Sequence, residues 1–115
     1  MSRVEAGAFQ QAQLGEALAR ARAAGGYAGN LLRSRLLSVG LYTLEAGGVD
    51  DQAPHAEDEV YVTIRRRARF RVEEQDHPVA PGTMLFVPAR AAHAFHAIEE
   101  ELVLVVFWAP PEGEA

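Results

Sequence analysis

The chain is broken every few residues by glycine, proline or clustered acids, and between these breaks apolar and polar side chains alternate. From Glu59 to Ile64, Val60, Val62 and Ile64 alternate with Glu59, Tyr61 and Thr63. From Arg67 to Val72, Ala68, Phe70 and Val72 alternate with Arg67, Arg69 and Arg71. A period of two belongs to a strand with unlike faces. Further short runs cover Arg35 to Leu44, Met84 to Val87, His93 to Ile98 and Leu102 to Trp108. They are divided by Gly47-Gly48, by Pro81-Gly82 and by the acidic turn Glu99-Glu100-Glu101, while Gln75-Asp76-His77-Pro78 reads as an exposed turn. Many short strands joined by turns predict an all-β fold, a sandwich or a small barrel. One segment departs from this pattern. Ala8 to Ala24 is rich in helix formers, places Leu14, Leu18 and Ala21 on one stripe, and meets Gly25-Gly26 as a stop. It predicts a single N-terminal helix packed on the outside of the domain or against a second subunit.

At 115 residues the chain has the size of one domain. It contains no cysteine, which excludes disulfides, thiolate metal sites and thiol nucleophiles. All 11 basic residues are arginine, against 16 acidic ones, for a net charge of −5. Lysine chemistry is therefore absent, and a net acidic surface argues against nucleic-acid binding. The stripe Arg67, Arg69 and Arg71 reads as an exposed strand face paired loosely with Glu73, Glu74 and Glu99 to Glu101. No apolar run is long enough to span a membrane and the first residues lack a secretory core, so the expectation is a soluble cytoplasmic protein.

The chemistry rests on histidine and carboxylate. In Pro54-His55-Ala56-Glu57-Asp58-Glu59 an extended chain sets His55, Glu57 and Glu59 on one side. Such a set can chelate a divalent cation or form a solvated acidic loop. His93 and His96 are three apart, so on one strand they face opposite ways, and His96 is the weaker candidate.

Two segments, taken together, resemble the cupin superfamily. Gly47, His55 and Glu59 fall at the glycine, second histidine and glutamate of its first motif, with Ala53 at the first histidine and Arg66 at the closing glycine. Gly82, Pro88 and His93 fit the second motif, with Arg90 at a glycine position and Ala97 at the asparagine. The resemblance implies a double-stranded β-helix, or jelly-roll, barrel over residues 34–110. An N-terminal helix and linker (1–33) would precede it and a tail (111–115) would follow. It also implies a divalent metal held by His55, Glu59 and His93, and a homodimer paired through outer strands. Ala53 has no donor atom, and Gln52 or Glu57 is the candidate replacement for the missing fourth ligand. Two histidines and one carboxylate suit Fe(II), with Zn, Mn, Ni or Co as alternatives. Arginine at two glycine positions suggests turns built differently from the family's, and places Arg90 near the pocket rim.

The function this implies is a metal-dependent enzyme on a small organic molecule, with dioxygenase-like oxidation ahead of isomerisation or lyase chemistry. Tyr61 or Glu57 would relay a proton. The alternatives are a non-catalytic small-molecule or metal-binding cupin, and a sugar isomerase or epimerase.

Overall fold

The computed structural model describes residues 7–50 and 54–115. Helix α1 (Leu14–Ala23) is followed by eight strands: β1 (Tyr27–Arg33), β2 (Ser38–Leu44), β3 (Asp58–Arg65), β4 (Ala68–Val72), β5 (Gln75–Val79), β6 (Met84–Val87), β7 (His93–His96) and β8 (Leu102–Ala109). They form two antiparallel sheets, ordered β1-β2-β8-β3-β6 and β5-β4-β7, the double-stranded β-helix expected. Among the described residues no helix is long and apolar enough to cross a membrane.

The interior is filled by side chains from both sheets: Tyr61, Leu102, Leu104, Val106 and Trp108 from one, Phe70 and Phe95 from the other. Strand β3 inverts the usual polarity. Its polar members Glu59, Tyr61 and Thr63 point inward and are buried, while Val60, Val62 and Ile64 lie half-buried on the outer face. Burying a carboxylate and a hydroxyl is costly unless they are partnered, so this inversion marks the barrel interior as a place of chemistry.

Helix α1 is shorter than the sequence suggested, and its buried stripe is Ala17, Leu18 and Ala21 rather than one that includes the exposed Leu14. It lies on the outer face of the larger sheet against Ala28, Leu41 and Val103. Strand β8, apolar on both faces, is covered outside only in part: Val103 lies beneath the helix, whereas Phe107 is exposed.

Two strands occupy stretches read as linker and turn. Gly29-Asn30, within the stretch assigned to the linker, sits in an irregularity of β1, where the register with β2 shifts between Ala28 and Leu32 and Asn30 takes a φ of 52°. Residues 27–33 are thus part of the barrel. Gln75 to Pro78 forms most of β5, with the exposed His77 on it. Proline is tolerated because β5 is an edge strand of the smaller sheet.

The turns at Arg66 and Arg90 are not rebuilt. Both residues take the left-handed conformation, φ 71° and 68°, that a glycine would adopt without strain. Arg66 pairs with Glu100 at 3.0 Å. Arg69 finds Asp76 at 2.7 Å rather than the acids of the neighbouring turns.

Candidate metal centre

His55 precedes β3, Glu59 lies on β3 and His93 opens β7, so the site joins the two sheets. One ligand atom from each of the three lies within 4.8 Å of the others. The rings of His55 and His93 are 5.8 Å apart between centroids.

His93 is oriented from behind. Its Nδ1 donates to the Ala91 carbonyl at 2.9 Å, which leaves Nε2 without a hydrogen in the neutral ring and turns its lone pair into the site. The Tyr61 hydroxyl is hydrogen-bonded both to that Nε2, at 3.1 Å, and to the Glu59 carboxyl, and Glu59 Oε1 is 3.5 Å from Nε2.

Burial pushes the Glu59 carboxyl above its ordinary range, and its neighbour Glu57 adds to this. Tyr61, His93 and His55 act in the opposite direction. The Tyr61 phenol is pushed far up, first by burial and then by the charge of Glu59. It therefore stays protonated through neutral pH. Glu59 Oε2 is buried and, among the described residues, has no hydrogen-bond partner.

These features fit a cation. The buried Glu59 oxygen that lacks a hydrogen-bond donor needs an electron-pair acceptor, and the His93 Nε2 lone pair, which here meets the Tyr61 hydroxyl, offers a second donor beside it. Two imidazoles and one carboxylate form a set used for Fe(II), and suited also to other divalent first-row metals.

Glu57, two residues before Glu59 in the same segment, is buried but lies outside this group of three. Its Oε2 accepts the Gly113 backbone N–H at 2.7 Å. Gln52 and Ala53 lie outside the described residues. Arg90 serves the site through its backbone, whose N–H donates to the His55 carbonyl at 2.6 Å, while its side chain is exposed. His96 points away from the site, as the strand parity required, and meets Asp76 on the outside of the smaller sheet.

Sequence reasoning missed Trp108, whose ring meets that of His55 edge-on at 4.5 Å, and Asp50, whose Oδ2 accepts the Phe95 N–H at 2.9 Å. Inward parity on β8 was the only local signal for the tryptophan. Asp50 had none.

Comparison with known proteins agrees with this architecture. The Cupin_2 model, described as a cupin domain, matches residues 40–110. An uncharacterized protein of Streptomyces coelicolor is 49% identical over 82 residues, which cover 71% of this chain and 78% of that protein. An RmlC-like cupin family protein with a double-stranded β-helix fold, from Methanocaldococcus jannaschii, superposes with a TM-score of 0.64 at 17% identity. That match covers 73% of this chain and 80% of the other. A chain from the crystal structures of the DMSP lyases RdDddP and RnDddQII gives a TM-score of 0.59 at 27% identity, over 64% of this chain and 38% of that one. By its matched residues, its two sheets and the placement of His55, Glu59 and His93, the chain belongs to the cupin family.

Proposed function

We propose that the barrel holds a divalent transition metal, Fe(II) by preference, through His55, Glu59 and His93, and that the chain is an enzyme acting on a small organic molecule. The observation that carries this is the Glu59 carboxylate, buried beside two imidazoles with one oxygen unpartnered. When bound, the ion supplies Lewis acidity and, as iron, redox chemistry at coordination positions the three protein donors leave open.

The chain's own residues do the rest. Glu59 and the two histidines bind, and Ala91 holds the His93 ring in the binding tautomer. Trp108, Phe70 and Phe95, all buried, exclude water from the inner side. Tyr61 keeps its phenolic proton on Oη at neutral pH. Once His93 Nε2 is engaged elsewhere, that proton is available to an oxygen atom of the substrate, so Tyr61 is the general acid of this reading. Dioxygenase-like oxidation of an enolic or phenolic compound is the reaction this donor set favours. Lyase chemistry is the second reading, supported by the 27% identity to a chain from the DMSP lyase structures.

Metal content measured on protein purified without a nickel column, followed by oxygen uptake across an enolic and phenolic panel, tests the proposal. About one metal per chain, with turnover lost on chelation and restored by Fe(II), supports it. A metal-loaded protein with no oxygen consumption and no lyase product removes the enzymatic reading, and thermal stabilisation by a compound it does not convert would establish a binding protein instead.

The same reading takes a second copy of the chain as protein partner. The outer face of β3, β6 and β8 carries Met84, Phe86 and Phe107, exposed by 73%, 64% and 39%, in register with Val60 and Val62. At roughly 200 Å² per large side chain this exposes roughly 350 Å², a fitting apolar core for an interface of about 800 Å² per partner. Light scattering of the parent and of Phe86→Glu checks it: a dimer that becomes a monomer is expected, and a monomeric parent overturns it.

A further inference from the structure

We propose that the segment 110–114 after β8 is a positioning device for the metal centre, with Tyr27, Glu57 and Glu112 as its positioning residues. The inference rests on the metal-binding reading above and concerns what holds His55 in place. Unlike Glu59 and His93, His55 does not lie on a strand: its carbonyl accepts the Arg90 N–H at 2.6 Å, but no strand ladder runs through it. A chelating group must nevertheless be held to about 0.5 Å to bind well.

Two chains of contacts from this segment reach the His55 loop. In the first, the Gly113 N–H is donated to Glu57 Oε2 at 2.7 Å, midway between the ligands His55 and Glu59. In the second, Tyr27 Oη donates to Glu112 Oε1 at 2.6 Å and accepts the Trp108 Nε1–H at 3.2 Å, and the Trp108 ring meets the His55 ring at 4.5 Å. The segment is itself anchored. Pro111 is buried, the Glu112 N–H donates to Ser38 Oγ at 2.9 Å, and Glu114 pairs with Arg33 at 3.3 Å.

The sequence makes room for this arrangement. A Cβ on Gly40 would stand 2.5 Å from Tyr27 Oη, and one on Gly29 would stand 3.3 Å from Glu112 Oε1. Neither glycine has a positive φ, so what they supply is space for the tyrosine–glutamate pair. Tyr27 also stacks on Tyr42 at 4.4 Å, which fixes the height of its hydroxyl. With both contacts formed before a metal arrives, binding need not spend free energy on ordering the loop.

Co(II) titration of the full chain, read by its visible bands and by competition with a chelator, tests the device, with thermal melts of the same samples. Glu57→Ala is expected to weaken Co(II) by about tenfold, the lower end of what loss of an outer partner of a metal ligand costs, and to shift the bands. Glu57→Gln keeps an acceptor oxygen for Gly113 and is expected to restore affinity to within about threefold of the parent. Tyr27→Phe, which removes the hydroxyl between Glu112 and Trp108, is expected to weaken Co(II) by about three- to tenfold.

Parent-like affinity and bands in both Glu57→Ala and Tyr27→Phe, whatever their melting points, overturn the inference. So does a Glu57→Gln protein as impaired as Glu57→Ala, because that marks Glu57 as a direct ligand. A parent that binds no Co(II) overturns the metal reading and this inference together. A parent that binds and loses Co(II) on His55→Ala, with Glu57→Ala and Tyr27→Phe unaffected, overturns this one alone.

Discussion

Two carboxylates in this molecule each face a histidine, and their circumstances are opposite. Glu59 is buried inside the barrel, its nearer oxygen 3.5 Å from His93 and its other oxygen without a partner. Asp76 lies on the outside of the smaller sheet, with one oxygen 2.5 Å from His96 and the other 2.7 Å from Arg69. Burial raises the affinity of Glu59 for a proton, while His96 and Arg69 lower that of Asp76. The same two chemical groups, a carboxylate and an imidazole, are a saturated surface ion pair in one place and an unsaturated donor set in the other. What distinguishes a site is not an acid beside a histidine but an acid kept from water with too few donors around it.

The largest expected effect is on metal content. Glu59→Ala should lose more affinity than the roughly 10–100-fold that removing an outer partner costs, and metal analysis of the purified variant should return a near-empty protein. If it retains about one ion per chain, Glu59 is no more a metal ligand than Asp76.

Tyr61→Phe should keep its metal, because the phenol faces His93 Nε2 only where an ion would otherwise take that lone pair. Its turnover should fall by about 10²–10⁴, the usual contribution of a positioned acid. Parent-like kcat would assign the proton to another group.

Third comes pH. The unfolded chain ionises Glu59 at its ordinary value of 4.5, and the metal-free folded chain only at a higher one. The folded state thus holds the proton more tightly. Its stability from this group is complete below that ordinary value and is lost as the pH rises through the raised one. Glu59→Gln should therefore raise the melting point of the metal-free chain at neutral pH by roughly 4 °C for each kcal/mol relieved. Asp76 behaves in reverse: its contribution is present above 3.8 and is lost as the pH falls through its lowered value.

The smallest effect closes the series. Asp76→Asn should leave metal content unchanged and move the melting point by no more than roughly a degree or two, since exposed pairs are screened by water. A loss of metal in this variant would join two regions that the fold separates by a sheet.

Much of the barrel was legible in the order of residues. Alternation located two of the eight described strands, and short runs bounded by turn residues located four more. The resemblance to the two cupin motifs selected His55, Glu59 and His93; the alternation of an extended chain left His55, Glu57 and Glu59 open as a chelating set or a solvated acidic loop. Strands β1 and β5 were not legible, since a glycine–asparagine pair and a proline read locally as breaks. They are absorbed by an irregular register in β1 and by an edge position in β5, and both of those depend on the neighbouring strand. Alternation also left open which face of β3 turns inward. The interior received the polar side of that strand, an exception to ordinary patterning of the kind a functional site produces.

Composition by itself determined the class of ligand atom and the exclusion of thiol and lysine chemistry, and the order of residues in two segments carried the resemblance to the family. Each of these follows from which atoms the chain possesses and how far apart they lie along it. Tertiary structure alone decided that Glu57 answers to Gly113 and not to the metal group, that Trp108 stands against His55, and that Tyr61 meets His93. These pairs are separated by 56, 53 and 32 residues. Contacts at such distances are set by how the two sheets close on one another, and no local pattern of side chains encodes that closure.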